Sequence, residues 1–345
     1  MQNPSQSPEA CRPLRALVKG TCVSNRGRKL ETLAGVLKTM CKPPPPTGAS
    51  TRCVSVMLTA GLLSACATQP SIDEPVEPTI VFVSQRSGDG DIYAIDPDSG
   101  AVSPLITTPA SEGGAIWDAE RNRIVYQVFG DDGTELRSDG RRVMGDPSAE
   151  APPSWSPDGR YLVYSAKRDS NENLYLATVD GSSERRLTDG PYTDRYPVFS
   201  PDGQSVAFAR RDTRGWDLFV VSLTTREERR LTNDGEYVGH PSWSAEGRSL
   251  VFDRTYDGQA DIASVDVQTG ELRRLTERLG NDLKPVYLPD GRVVFAADVD
   301  SRNEWDLWIL DTATGELRQL TETPGFDGGP VYAPRSAWRH LTEAF

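Results

Sequence analysis

The chain has 345 residues, of which 37% are hydrophobic and 8% aromatic, enough for one large all-β domain. Its formal charge is −12 at pH 7, yet residues 1–66 carry nine basic and two acidic side chains, and residues 67–345 carry 29 basic and 48 acidic ones. This acidity excludes nucleic acid from the expected partners, because phosphate binding requires a basic surface. All five cysteines lie in residues 1–66, so no disulfide framework or thiolate metal site is expected beyond them.

Residues 1–50 are basic and Pro-rich and show no hydrophobic periodicity, so we expect them to be disordered. Residues 51–66 have the pattern of a lipoprotein-type signal peptide, in which Arg52 precedes an apolar run too short to span a membrane. The run ends in Leu63-Ser64-Ala65-Cys66, which resembles the lipobox of bacterial lipoproteins. The resemblance implies that Cys66 is acylated and becomes the mature N-terminus.

The position of this segment carries three further expectations. Signal peptides lie at the start of a protein, so we expect translation to begin at an internal site such as Met40. The lipobox resemblance and Ala67 together imply the outer membrane. Residues 67–79 are polar and Pro-rich, and we expect a flexible tether there. The alternative is that the apolar run is incidental or buried.

A repeat with a period of 44 residues follows. The segment Pro153–Gly159 reads as a short strand with an aromatic residue, followed by a turn in which Pro fixes φ and Gly takes a positive φ. Copies begin at Pro197, Pro241 and Pro285, and the aromatic residues Trp155, Phe199, Trp243 and Tyr287 are each 44 positions apart. A second marker, Leu-Thr, recurs at Leu187, Leu231, Leu275 and Leu320. Such a period is typical of four-stranded propeller blades.

The remaining segments fit the same scheme less regularly. The first unit starts at Ile80–Val83 without a leading strand, and the second is degenerate over Leu136–Val143. The last segment, Gly328–Pro334, repeats only the opening strand. We therefore predict an all-β fold, a six-bladed β-propeller over residues 80–334, closed by pairing of its N- and C-terminal strands. Residues 335–345 are expected to form a C-terminal tail.

These motifs resemble the WD-like propeller repeats of the TolB family, together with the strands Asp217-Leu218-Phe219 and Asp306-Leu307-Trp308. The resemblance covers residues 80–334. It implies a propeller on the periplasmic side of the cell envelope, and in TolB itself the propeller binds the peptidoglycan-associated lipoprotein. TolB has an α/β domain before its propeller, for which Cys66 to Ile80 leaves no room, so we expect a TolB-like lipoprotein attached to the membrane through its lipid anchor.

The connections between blades should meet at one mouth of a central channel. They carry eleven acidic and three basic residues, which would focus a negative potential and favour a cationic partner or a divalent ion such as calcium. No other cofactor is expected. The alternative is that these acids are turn formers and solvated loop residues. The arginines Arg86, Arg168, Arg211 and Arg254 are expected to pair with the aspartates Asp91, Asp217 and Asp261.

Tyr196, His240 and Lys284 lie directly before the inner strands and should face the channel. Their residue types differ between blades, as expected for a binding rim. The predicted binding site at the channel mouth consists of Asp194, Arg195, Tyr196, His240, Asp282, Lys284 and Asp327. His240 could instead be a simple hydrogen-bonding residue.

Catalytic signals in the sequence are weak. It contains neither a Gly-x-Ser-x-Gly elbow nor a His-Glu-x-x-His motif, and two histidines cannot build the histidine cluster of related sugar lyases. We therefore predict a non-enzymatic binding or scaffold protein that engages an envelope protein or a peptidoglycan-associated component. A carbohydrate-active or hydrolytic enzyme using Asp194, Asp282 and His240 is the alternative, and a structural or regulatory sensor domain is a third.

Overall fold

The structure is a computed structural model that describes residues 78–130, 133–145, 152–168, 171–298, 304–334 and residue 337. The predictions for the N-terminal segment, the signal peptide with Cys66, most of the tether and most of the C-terminal tail lie outside these residues. All the described regular elements are β-strands, which confirms the all-β prediction. The first described strand begins at Pro78, two residues before Ile80.

The strands follow one another as short antiparallel elements. The first twelve are β1 (Pro78–Ser84), β2 (Asp91–Ile95), β3 (Val102–Ile106), β4 (Ser111–Asp118), β5 (Arg123–Gly130), β6 (Gly133–Ser138), β7 (Arg141–Gly145), β8 (Ser154–Trp155), β9 (Tyr161–Arg168), β10 (Asn171–Thr178), β11 (Glu184–Arg186) and β12 (Thr193–Phe199). The others are β13 (Ser205–Asp212), β14 (Gly215–Ser222), β15 (Glu228–Arg230), β16 (Val238–Trp243), β17 (Ser249–Tyr256), β18 (Gln259–Asp266), β19 (Leu272–Arg274), β20 (Asp282–Tyr287), β21 (Val293–Asp298), β22 (Trp305–Leu310), β23 (Leu317–Gln319) and β24 (Asp327–Pro334).

These strands form four-stranded antiparallel units. Strands β4–β7, β16–β19 and β20–β23 each make one sheet in chain order. Strands β8–β11 and β12–β15 are two further units, which a parallel bridge between Glu172 and Thr193 joins. The second unit is complete, because β6 and β7 pair across the segment that the repeat pattern left unassigned.

The first and last strands of the repeat region share one sheet, whose order is β24-β1-β2-β3. Ile80 pairs with Tyr332 and Val81 with Val331 in an antiparallel ladder. The segment that repeats only an opening strand thus supplies that strand to the unit that lacks one.

The repeated turn is held by its serine. Ser156 Oγ donates to Asp158 Oδ1 at 2.6 Å and accepts from the backbone N of Tyr161 at 2.9 Å. The bond from the backbone to the serine recurs at Ser200 and Ser244. The serine before the aromatic residue joins neighbouring units, since Ser154 Oγ accepts from the backbone N of Phe199 at 3.2 Å.

The core lies between the units. Four phenylalanines at the centre of the second strand are fully buried, namely Phe82, Phe208, Phe252 and Phe295. Burial of each such side chain contributes about 2–3 kcal/mol. Six hydrophobic clusters join β1–β2 with β4–β5, β5–β6 with β8–β9, β9–β10 with β12–β14, β13–β14 with β16–β18, β17–β18 with β21–β22, and β21–β22 with β1–β2.

Candidate functional site: the cavity shared by the opening strands

A cavity of about 680 Å³ is lined by the opening strand of every unit, that is by β4, β8, β12, β16, β20 and β24. In each opening strand we define a rim position, which lies three residues before the aromatic residue of the repeat. These aromatic residues are Trp117, Trp155, Phe199, Trp243, Tyr287 and Tyr332. The six rim positions are Gly114, Pro152, Tyr196, His240, Lys284 and Gly329. All six line the cavity. At five of them the opening strand pairs with the next strand in a ladder that has a register shift, whereas Pro152 lies just before the short strand β8.

The backbone at these positions is left-handed. The φ angle is 55° at Tyr196, 46° at His240 and 53° at Lys284, whereas the equivalent residues with a similar φ in two other units are glycines. A bulge with this geometry re-aims the side chain of one residue away from the regular alternation of the strand. Residues with a Cβ are disfavoured there by about 1 kcal/mol or more. Three large side chains are therefore held at the cavity against a backbone preference for glycine.

Asp253 fixes two of these three residues. It is fully buried on β17, and its Oδ1 lies 2.8 Å from His240 Nδ1 and accepts a hydrogen bond of 3.1 Å from the backbone N of Lys284. The neighbouring units have Ala209 and Ala297 at this position. The carboxylate thus joins two adjacent opening strands, and a proton on His240 Nδ1 leaves Nε2 as the second polar atom of the ring.

Aromatic stacking ties the third residue to this pair. The rings of Tyr196 and His240 have centroids 4.1 Å apart and are inclined by 36°. Tyr237 lies beside them, and its burial, together with the charge of Asp253, raises the pKa of its hydroxyl. The result is a continuous cluster across β12, β16 and β20.

Lys284 supplies a cation to the cavity wall. Its side chain is exposed to the cavity, yet the protein atoms around it desolvate the ammonium and lower its pKa, while Asp253 acts in the opposite direction. Within the part of the chain that the structure describes, no carboxylate forms an ion pair with its Nζ. Among the described residues that line the cavity, Glu112 is the only acidic one, and burial raises the pKa of its carboxyl group to about 7.

The other predicted site residues lie within or between the sheets. Asp194 is buried and accepts from Arg210 at 2.7 and 2.9 Å, and Asp327 accepts from Arg86 at 2.8 Å. Arg195 donates a hydrogen bond of 2.8 Å to Glu172. Asp282 Oδ1 lies 3.6 Å from Arg278 Nε, and burial raises the pKa of Asp282 to about 6. None of these four lines the cavity among the described residues. The predicted acidic mouth therefore loses three of its carboxylates to structural positions.

The predicted pairing of arginines with the aspartates before the third strands is wrong. Asp217 and Asp261 instead bind an arginine of the outer strand next to them, Arg230 and Arg274 respectively. Three of the four arginines bind other acids: Arg86 binds Asp327 as described above, Arg168 lies 2.6 Å from Glu184, and Arg254 pairs with Asp234. Arg254 lies directly opposite Asp261 in the β17–β18 ladder and still pairs elsewhere, so a shared ladder position does not by itself decide the ion pair.

Asp253 was missed by sequence reasoning, although a signal for it exists. It is a single charged residue at the end of the apolar run Leu250–Phe252, at a position where the units on either side have alanine. Metal binding has no comparable signal: across the described residues, no group of three or more His, Cys, Asp or Glu side chains is placed to hold an ion. The described part of the chain contains no helix that is long and apolar enough to span a membrane.

Four-stranded antiparallel units that pack face to face and share one cavity define the propeller class of β-proteins. The family model described as the TolB beta propeller domain matches residues 64–192 and 196–304. The chain belongs to this family, and the resemblance predicted from its repeats is confirmed.

Known proteins extend this comparison. A curated protein of Syntrophus aciditrophicus, the Tol-Pal system protein TolB, is 47% identical over 47 residues, which are 13% of this chain and 10% of that protein. The chain thus matches about a tenth of this relative's length. The crystal structure of TolB from Acinetobacter baumannii is similar with a TM-score of 0.65 at 20% identity, covering 75% of this chain and 67% of the other. A putative TolB from Agrobacterium tumefaciens gives 0.59 at 19% identity, covering 74% and 91%.

The same fold also occurs in enzymes. A puromycin hydrolase is similar with a TM-score of 0.50 at 23% identity, covering 71% of this chain and 44% of that protein. At such identity the likeness shows the fold alone.

Proposed function

We propose that the six units form a closed six-bladed ring around the cavity. Two observations support this arrangement. The strand β24 pairs with β1, and the six hydrophobic clusters join every unit to the next, including the last to the first. Closure of this kind pairs the first strand of the domain and leaves only short sheet edges, such as those of the outer strands β15, β19 and β23.

We further propose that the protein is an envelope binding or scaffold protein, which engages a protein or cell-wall component at the mouth of this cavity. One observation carries the proposal: Tyr196, His240 and Lys284 stand side by side at backbone positions that favour glycine. Residues held in unfavourable conformations concentrate at functional sites, because selection for binding outweighs the loss of stability. The names of the similar TolB proteins, one of them a Tol-Pal system protein, agree with an envelope role.

A pull-down from solubilised envelopes tests this proposal. The full chain with Tyr196→Ala and Lys284→Ala should lose a component that the unchanged chain retains. The matched control is Arg229→Ala and Arg273→Ala, because both arginines lie on the outer strands β15 and β19 away from the cavity. Equal capture by all three proteins would contradict a partner at the cavity mouth.

The proposed location is the periplasmic side of the envelope, with an anchor at Cys66 and the outer membrane as its destination. Cells that express the chain should incorporate radiolabelled palmitate into it, and Cys66→Ala should abolish the label. Label that persists in this variant would contradict the anchor.

A hydrolytic or carbohydrate-active enzyme is the second candidate, and one contact favours it. His240 and Asp253, 2.8 Å apart, form the kind of pair in which a carboxylate orients an imidazole for general base catalysis. Turnover on a glycan or ester panel that His240→Ala abolishes would support the enzyme. Turnover that survives this change would contradict His240 as the catalytic base.

A further inference from the structure

We infer that the cavity binds a carboxylate group of its ligand at Lys284, with a flat apolar part of the same ligand packed against the Tyr196–His240 ring pair. This inference rests on the proposed function, and it names the chemistry of the ligand. The sequence alone indicated the opposite sign, because the acids of the connections outnumber the bases.

The charge of the described cavity wall carries the first step. Three of the carboxylates that made the mouth acidic in the sequence do not line the cavity, namely Asp194, which pairs with Arg210, Asp327, which pairs with Arg86, and the buried Asp282. Lys284 remains as a cation with exposed surface on the cavity. An anion that reaches this cavity therefore meets a positive group rather than a ring of negative ones.

Two acids among the described residues line or contact this wall, Glu112 and Asp253, and both are buried. Asp253 is fully buried, and its Oδ1 already serves His240 Nδ1 and the backbone N of Lys284. Glu112 is buried as well, and its raised pKa of about 7 leaves much of it uncharged at neutral pH. The ammonium, in contrast, is partly desolvated and forms no ion pair with a described residue. A charge-assisted hydrogen bond from a ligand carboxylate would restore what the ammonium loses.

The wall next to Lys284 decides the remainder of the ligand. The ring centroids of Tyr196 and His240 lie 4.1 Å apart with the planes inclined by 36°, and prolines at 197, 241 and 285 follow the three rim residues. Rigid apolar and aromatic surfaces of this kind favour planar or CH-rich groups. The site therefore suits a carboxylate attached to a ring.

NMR of the lysine side chains tests the inference on the full chain. Reductive methylation with ¹³C-formaldehyde labels the amines and keeps their charge. The described residues contain two lysines, Lys284 and the exposed Lys167 on β9, so the second is a control within the same molecule. The Lys284→Arg variant assigns the resonance.

Three probes of the same shape differ only in charge: benzoate, benzamide and benzamidine. Benzoate should shift the Lys284 resonance saturably and leave that of Lys167 in place. Benzamide should bind at least about tenfold more weakly, as expected for the loss of one charge-assisted bond. Tyr196→Ala should weaken benzoate binding and keep its preference over benzamide. Equal or tighter binding of benzamidine, parallel shifts of both lysines, or no saturable shift would each overturn the inference.

Two further pairs of probes identify the source of the carboxylate. Glucuronate against glucose tests an acidic sugar, and an aromatic dipeptide acid against its amide tests a peptide terminus. The proposed function can fail separately. If the double variant loses its envelope component and benzoate does not bind, the binding role stands without this ligand. If benzoate binds and capture is unchanged, the carboxylate site stands without the proposed partner.

Discussion

Two halves of the cavity rim differ although they stand on the same scaffold. Three consecutive units carry Tyr196, His240 and Lys284, and the other three carry glycine, proline and glycine. Where φ is positive, the glycines adopt it at no steric cost, whereas the three large residues do so against their preference. The comparison shows that the repeat keeps a similar backbone conformation at five of these positions, whereas the side chain there differs from unit to unit. We call the first set the loaded half and the second the open half.

The largest expected effects test whether the halves share one core. Phe82→Ala, next to the open half, and Phe252→Ala, in the loaded half, each remove a fully buried ring. Each should lower the free energy of unfolding by about 3–5 kcal/mol, measured by chemical denaturation. A loss below about 1 kcal/mol in one of them would mean that its unit is not packed as its counterpart is.

A smaller loss should follow from removal of the carboxylate specific to the loaded half. Asp253→Ala gives β17 the residue that Ala209 and Ala297 provide in the adjacent units, so no steric conflict is expected. It leaves His240 Nδ1 and the backbone N of Lys284 without their acceptor, which should cost about 1–3 kcal/mol.

Asp253→Asn is the matched control for this change. Its amide oxygen can accept both bonds that Asp253 Oδ1 accepts, but it lacks the charge, so its stability should lie between those of the other two proteins. If the alanine variant were more stable than the unchanged chain, the buried carboxylate of Asp253 would destabilise the fold instead of stabilising it.

The smallest effects come from exchange of the residue types between the halves. Gly329→Ala should destabilise by about 1 kcal/mol through its backbone alone, because the nearest atom to a new Cβ is Val83 Cγ2 at 4.0 Å and φ is 60°. At Lys284, the glycine variant should be more stable than the alanine variant by about the same amount, at a φ of 53°. Thermal or chemical unfolding of the four proteins measures both differences. An alanine at Lys284 as stable as glycine would remove the strain on which the functional argument depends.

More of the fold than of the candidate site could be predicted from the sequence. The 44-residue spacing and its turn residues depend on local backbone chemistry, so they predicted the strands, and they placed Tyr196, His240 and Lys284 together at the cavity. The partners of the charged residues could not be predicted in the same way. Asp194 pairs with Arg210 because the two residues lie opposite each other across β12 and β13, whereas Asp261 binds Arg274 although Arg254 lies opposite it. A spacing encodes neither the register nor this choice of partner. Asp253 escaped notice because its role appears only when two opening strands lie on either side of it.

Photo-crosslinking in intact envelopes tests most directly whether binding occurs at the loaded half. A photoreactive phenylalanine is placed at Tyr196, at Gln85 in the open half of the cavity wall, or at Leu272 on the outer strand β19. The account predicts a crosslinked product from position 196, a weaker one from position 85 and none from position 272. A product from position 272 that equals or exceeds the product from position 196 would contradict a binding site at the cavity.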